Sequence, residues 1–554
     1  MSASSKKKLR KEQSAAQMTE KQRRQKAEDK KIKIYTGIFI AAMALVICIT
    51  AATLIIRGIN NSGIIEKNTI AATIDGHEIN SVEMNYFLMD TIDSMYSNWY
   101  ASYNYYTSYY IKQLYGLDLT MSLDSQIYDA TTRQTWGDYF VSIALDDART
   151  CYAMYNKAVA DKHTLTAEEQ TALNETIADL KDTASKNGYK FNAYLRLVYG
   201  NGSDESSFLE YKQKSALARS YLNKYYESLS YTNKDFRDYE TEHYDDFTCF
   251  TYNTYHLTYD KFLKGGTKND AGKMEYSDAE INAATDAMNQ AAESLKAATS
   301  VEDFNKLIAA LEINADNKDA KSSEYKRTFT PSIEESLKKW LTDSARKPGD
   351  VGVVNKVNTK ENEDGSSTTT EDGIYVVYFQ ERDTNTDFMS DVRHLLVAFE
   401  GGTKDSNGNT TYSDQEKETA KNKATELLNT WKSGAATEES FIALVKEKTD
   451  DEGSKETGGL YENINPESQY VENFLNWAID PAREKGNTGI VETEYGYHIM
   501  YYVGDSQQTY RDSMIESTLR EADYSDWVDA VTNATTFKEG DTSRVNRDVI
   551  ISSY

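Results

Sequence analysis

The sequence predicts an α+β protein with a single transmembrane helix, a long helical module and two sheet-containing units built to one plan. Three observations lead there. Ile34–Ile56 runs for 23 residues without a charge. From Met84 to about Tyr244 the chain is proline-free and reads as helix. Beyond it, two apolar strings that each hold a histidine, DVRHLLVAF from Asp391 and YGYHIMYYV from Tyr495, bracket a helix-rich middle, and an earlier stretch repeats the pattern.

At 554 residues with 39% apolar content, the chain has material for several domains. Residues 1–33 are polar and basic (KKKLRK, KQRRQK) with no periodic apolar face, which predicts a disordered tail. At about 1.5 Å per residue, the run at 34–56 is long enough to cross a hydrocarbon layer of roughly 30 Å. A cleaved secretory signal has a shorter apolar run of about 7 to 15 residues ending in a small-residue site. This run ends in Ile55, Ile56 and Arg57, and Cys48 sits mid-span behind Val46 and Ile47, where no lipoprotein cysteine would be. The expectation is a retained anchor in the lipid bilayer, with the basic N-terminus cytoplasmic and the bulk of the chain outside.

Residues 1–57 carry 13 Lys/Arg and 4 Asp/Glu, so the remainder has a net charge of about −35. Such acidity argues against nucleic acid, whose phosphates need Lys/Arg neutralisation, and keeps a surface soluble beside an anionic membrane. Of the cysteines beyond the span, Cys151 and Cys249 allow either one disulfide or two free buried thiols.

After a linker at 58–68, TIAATIDGHEINSVEMNYFL reads as a strand, an Asp75-Gly76 turn, a second strand, then Ser81 as the N-cap of a helix. The aromatic run SMYSNWYASYNYYTSYYIKQLYG within the helical stretch serves either as core and helix seam or as a cradle for unfolded polypeptide, since Tyr joins apolar area to a hydrogen-bonding tip. His77, His163 and His243 lie in polar settings and read as surface residues.

Tyr255 opens YHLTYDKFLKGGTKNDAGKMEYSDAE, which parallels RHLLVAFEGGTKDSNGNTTYSDQE from Arg393, placing His256 against His394 at an offset of 138 residues. Phe304 then matches Phe441, Leu307 matches Leu444, and DGIYVVYF at 372–379 matches YGYHIMYY at 495–502. A period this long is a duplicated domain. The first copy differs where chemistry would lie: Tyr375 replaces His498, Ile313-Asn314 replaces Asp450-Asp451, and the Gly458-Gly459 pair has no counterpart. It also carries a polar hairpin extension, NTKENEDGSSTTTEDG.

The second copy resembles the parvulin family of peptidyl-prolyl isomerases in four ordered pieces. These are His394-Leu-Leu-Val397, Thr449-Asp450-Asp451, Gly458-Gly459, and Thr493-x-x-Gly496-x-His498-Ile499. It departs from the family at Leu460-Tyr461-Glu462, where Gly-Gly usually continues Asp-Leu-Gly. The resemblance implies four-stranded antiparallel sheets with flanking helices in both copies. It makes His394, Asp451, His498 and Thr493 the catalytic candidates and Tyr470, Phe474, Ile479 and Tyr461 the lining of a proline pocket, with no metal and no cofactor. The start of the chain beyond residue 68 resembles the opening of SurA-like and PrsA-like foldases.

The expected domains are the tail 1–33, the span 34–56, a SurA-like helical chaperone module at 68–245, a degenerate parvulin-like unit at 246–384, the isomerase at 385–505, and a C-terminal segment 506–554 that returns to the chaperone module through Trp527 and Val528. Together with the apolar span, the resemblance implies a single-pass protein of a bacterial cell membrane that isomerises X-Pro bonds in newly exported, unfolded polypeptides and acts as their chaperone. A holdase that binds unfolded chain without turnover is the alternative. No H-x-x-x-H or C-x-x-C metal spacing, G-x-S-x-G elbow or Gly-rich nucleotide loop is present.

Overall fold

The computed structural model describes residues 62–103, 107–270, 272–361, 367–404 and 408–548. They form two compact units, one from the residues up to Leu229 together with those from Ala522 onward, the other Ser230–Glu521.

The expected transmembrane helix is corrected here. Among the described residues no helix is long and apolar enough to cross a membrane, and residues 34–56, like the tail 1–33, lie outside them. Among the described residues the fold class is therefore α+β without a membrane span. The single-pass placement with a cytoplasmic N-terminus falls with the span, and contact with a lipid bilayer has no support among the described residues.

In the first unit a short helix, Ile64–Asn68, occupies the expected linker and leads into a hairpin, β1 (Ile70–Ile74) and β2 (His77–Asn80), turned by Asp75 and Gly76, both at positive φ. Helix α1 (Ser81–Tyr103) follows, and its cap is Asn80 rather than Ser81: the Glu83 amide donates to Asn80 Oδ1 at 3.0 Å, while the Ser81 hydroxyl donates to the Thr69 carbonyl. Helices α2 (Trp136–Ala160), α3 (Ala167–Lys186) and α4 (Glu205–Ser228) each start from a reciprocal capping box, built on Thr135, Thr166 and Asp204. Their shared core is aromatic, with Tyr86, Phe87, Tyr199, Phe208 and Tyr211 in mutual ring contact. Two C-terminal pieces join this unit. The strand Phe537–Glu539 pairs antiparallel with β1, and the Trp527 ring stacks on Tyr225 at 3.7 Å, while Val528 is half-buried. Cys151 and Cys249 are both free thiols.

The second unit holds two antiparallel four-stranded sheets. In the first, β3 (Cys249–Leu257), β4 (Ser323–Phe329), β5 (Val351–Glu361) and β6 (Ser367–Asp383) lie in the order β4-β3-β6-β5. In the second, β7 (Phe388–Ala398), β8 (Leu460–Ile464), β9 (Thr488–Glu492) and β10 (Gly496–Thr509) lie in the order β8-β7-β10-β9. The topology is the same, and so are the helices between strands: α5 (Asp278–Leu295), α6 (Val301–Ala310) and α7 (Glu335–Thr342) answer to α8 (Asp414–Ser433), α9 (Glu438–Lys448) and α10 (Glu472–Ala478).

Details repeat too. Trp340 packs so closely on Gly352, and Trp477 on Gly489, that a Cβ at either glycine would lie within 2.5 Å of the indole, and Arg346 and Arg483 each cover their Trp at 4.4 Å.

Strand register corrects the match between the copies. Tyr375 pairs with His256, whereas His498 pairs with Leu396. Gly373 abuts the Leu257 carbonyl as Gly496 abuts that of Val397. Tyr375 thus stands where His498 does, but Thr254, two residues before His256, stands where His394 does. A shift of two residues leaves the inward and outward alternation of a strand unchanged, so the sequence pattern does not register it. His256 instead bonds the Asp372 carbonyl through Nε2 at 2.7 Å.

Candidate active site

The second sheet places its two histidines on one face because β7 and β10 are neighbours and the register sets Leu396 across from His498, with His394 one pleat along. Both are buried. Their Nδ1 atoms lie 3.0 Å apart. Outward from this contact, His394 Nε2 lies 3.0 Å from Asp451 Oδ2, and His498 Nε2 lies 2.9 Å from Thr493 Oγ1.

These distances fix a direction for the protons. A carboxylate only accepts, so His394 donates from Nε2 to Asp451 and its Nδ1 is the acceptor. His498 then donates from Nδ1, and its Nε2 accepts the Thr493 hydroxyl. The result is a chain, Thr493 to His498 to His394 to Asp451, in which every imidazole is neutral. Electrostatics agree. Burial lowers the pKa of His394 against the pull of Asp451, and burial followed by the proximity of His394 lowers that of His498 to about 3. Burial by itself raises the Asp451 carboxyl, but the Ser454 hydroxyl, His394 and the Gly453 amide outweigh it and leave the group below its ordinary value.

Asp451 is held by a loop that lies against the edge of β7. The Asp450 amide donates to the Leu396 carbonyl, the Leu396 amide to Thr449 Oγ1, and the Ala398 amide to Asp450 Oδ2. Arg393 ties the far end of the loop down, donating to the Thr457 and Gly458 carbonyls and pairing with Glu438. Gly459 then lets β8 begin against His394: its φ is 73°, and a Cβ there would lie 2.1 Å from the His394 carbonyl oxygen. Replacing Gly459 by Ala is expected to cost at least ~1–3 kcal/mol from backbone strain and contact, seen as a lower urea midpoint at unchanged slope.

Aromatic side chains close the site. The Phe474 ring stands edge-on to His394 at 5.4 Å and to His498 at 5.5 Å. Tyr461 lies 5.0 Å from His394, and Tyr470 lies 5.4 Å from both Tyr461 and Phe474. Phe474 is buried, Tyr461 and Tyr470 are half-exposed, and the Asp451 side chain is 23% exposed, so one edge of the cluster faces solvent. Ile479, at the end of α10, packs in the same apolar cluster but is separate from the ring contacts around the histidines. Seven of the eight candidates from sequence therefore meet in one place, with Ile479 at its margin.

Two participants escaped the sequence reading. Ser454 donates its hydroxyl to Asp451 and lies 3.3 Å from His394 Nε2, and a serine in a Gly-rich turn carries no periodic signal. Met500, fully buried in the same cluster, lies across from His394, and the alternation that singles out His498 points to it as well.

The neutral histidines make a pH prediction. A His whose folded pKa is depressed stays unprotonated while the unfolded chain, titrating near 6.5, takes up protons, so stability falls as pH drops below about 6.5 and continues to fall toward 3. Chemical unfolding of the wild type between about pH 7 and 4.5 should lose more stability than a His498→Asn variant does over the same range.

Residues 375–505 match the family model of the PPIC-type PPIASE domain. No curated protein matches the chain. Among solved structures, the chain is similar to the peptidylprolyl isomerase PrsA from Bacillus anthracis at 18% identity, covering 27% of this chain and 59% of that one with a TM-score of 0.17. A SurA-like chaperone of Campylobacter jejuni matches at 24% identity over 26% of this chain and 50% of its own, TM-score 0.15. PrsA from Bacillus subtilis matches at 14% over 72% and 86%, TM-score 0.23. The chain thus spans between half and three fifths of the first two of these structures. The family match runs from within β6 into β10 and takes in every side chain of the neutral proton chain: residues 375–505 are a peptidyl-prolyl isomerase domain of the PPIC, or parvulin, type.

Proposed function

We propose that this chain accelerates cis–trans isomerisation of X-Pro bonds in unfolded polypeptides and shields those polypeptides while they fold. The observation that carries the reading is the directed Thr493–His498–His394–Asp451 chain lying beneath Phe474, Tyr461 and Tyr470. Rotation about a prolyl bond faces a barrier of ~18–20 kcal/mol because amide resonance is lost at the midpoint. In the planar amide the oxygen carries the resonance charge, and twisting returns it to nitrogen. A proline ring seated on Phe474 would bring the preceding carbonyl near the Asp451 carboxylate, which raises the planar form more than the twisted one. A dry aromatic wall acts in the same direction, since the planar amide is the more polar. No bond is made or broken, and neutral histidines serve as a rigid polar floor rather than as acids.

The domain roles belong to the same proposal: the first unit as the chaperone module, the first sheet as a parvulin-like fold that has lost its site, the second as the isomerase, with newly exported proteins as clients. The membrane anchor is not part of it.

One observation favours the holdase alternative. Past the core of the first unit, Tyr100, Tyr109, Leu114, Tyr115, Met121, Ile127 and Tyr128 are each more than 40% exposed, apolar area on which unfolded polypeptide would be held without an isomerase. Two assays on the full chain separate the readings. Catalysed isomerisation of a short X-Pro peptide together with suppressed aggregation of a proline-free client is the expected pair. Suppressed aggregation without peptide turnover would leave the holdase alone.

A further inference from the structure

Both sheets of the second unit carry the same β-bulge. In β4, Lys326 and Arg327 face the single residue Thr251, and in β8, Glu462 and Asn463 face Asp391. The bulged residue has positive φ in each case, 42° for Arg327 and 55° for Asn463, and its amide donates to the side chain opposite, Thr251 Oγ1 or Asp391 Oδ1. Asparagine enters this backbone region readily; arginine does not. The first copy therefore holds a residue poorly suited to the turn, and bulges serve to re-aim a side chain.

Arg327 is aimed at the second copy. Its Nε donates to Glu467 Oε1 at 2.7 Å, its Nη2 donates to Asn385 Oδ1 at 2.6 Å, and its Nη1 pairs with Asp383. Asp383 and Asn385 lie where the first sheet passes into the second, and Asn385 is itself buried and bonded to the Phe247 carbonyl. Glu467 sits in the loop between β8 and α10. There its amide donates to Asn465 Oδ1, and two residues beyond Ser468 the chain delivers Tyr470, whose amide donates to the Ser468 carbonyl. An isolated half-exposed ion pair contributes little. Here, however, the planar guanidinium is already oriented by two other acceptors, so Glu467 meets a fixed donor.

We infer that Arg327 is a positioning residue for the isomerase site: the first copy, its own histidine positions filled by Thr254 and Tyr375, braces through Glu467 the loop that sets Tyr470 against Tyr461 and Phe474. This rests on the isomerase reading above. Because Tyr470 grips substrate rather than the rotating bond, loosening it weakens binding more than turnover.

The test uses the full chain. Arg327→Ala and Glu467→Ala are each expected to raise KM for an X-Pro peptide about three- to tenfold with kcat within about twofold. The double variant should be no worse than either single. Glu467→Gln, which keeps an acceptor for Nε, should recover most of the loss. In parallel, amide hydrogen exchange over residues 465–471 should quicken in Arg327→Ala at an unfolding midpoint close to wild type. Unchanged KM and unchanged exchange would overturn the inference, as would an equal fall in kcat and kcat/KM. If Arg327→Ala does not fold, Glu467→Ala, on a half-exposed loop residue, decides alone. A wild-type chain without isomerase activity would sink the functional reading instead, and the exchange measurement would still decide whether Arg327 holds the loop.

Discussion

His498→Ala is expected to reduce kcat/KM for X-Pro isomerisation on the order of 100-fold, the scale seen when one pre-oriented polar partner is removed from a buried site. The imidazole does three things at once. It accepts the Thr493 hydroxyl, donates to His394, and lies against the edge of Phe474. Removing it strands the Thr493 hydroxyl and lets His394 turn, so Asp451 loses the donor that orients it. His498→Asn keeps a donor and an acceptor in about the same place and should fall between wild type and Ala. Both histidines are neutral and Asp451 ionised throughout the range, so kcat/KM of the wild type should be flat between about pH 6 and 8. A bell-shaped profile centred near 6.5 would mean that a histidine works as an acid or base.

Phe474→Ala carries the second large effect, because one ring serves both core and site. Phe474 is 3% exposed and packs with Val392, Ala478, Met500 and Tyr502 as well as with the histidines and Tyr470. Truncating a buried Phe costs about 3–5 kcal/mol when the cavity does not collapse. Urea unfolding should show a loss of that size in the second unit, and KM should rise even where the variant remains folded. Phe474→Leu, retaining much of the volume, should restore most of the stability but less of the affinity, since a branched aliphatic side chain offers no flat face to a pyrrolidine ring.

Much of this site was legible in the sequence, for reasons that can be named. His394 and His498 sit in apolar strings that read as strands, so their place in a sheet was legible, whereas their meeting on one face depends on the pairing that sets Leu396 across from His498. The Gly458-Gly459 pair entered through the family resemblance, and the structure supplies its reason: a Cβ at Gly459 would collide with the His394 carbonyl. Tyr470 and Phe474 came from family resemblance, because the first lies in the loop before α10 and the second on a helix too short for a long apolar period.

What remained hidden has physical causes as well. Ser454 and Arg393 act across loops, where partners are set by tertiary closure. A two-residue register slip is silent to a pattern of period two, so His256 passed as the counterpart of His394 when Thr254 is. Asn80 and Ser81 are both good caps, and only the Glu83 amide chooses between them. An uncharged run of residues is a statement about solubility in lipid, and at 34–56 it fell outside what the structure describes. The aromatic run divided as well: Tyr86 and Phe87 ahead of it are core, whereas Tyr100, Tyr109 and Tyr115 are exposed.

The most direct test is magnetisation exchange between the cis and trans forms of a short X-Pro peptide, followed by NMR with catalytic amounts of the intact chain. Exchange should be accelerated well beyond the spontaneous rate, which takes tens to hundreds of seconds, and should fall back almost to that rate with His498→Ala. Binding of the peptide at the Phe474 surface with no acceleration, or equal acceleration by wild type and His498→Ala, would contradict a catalytic role for the paired histidines.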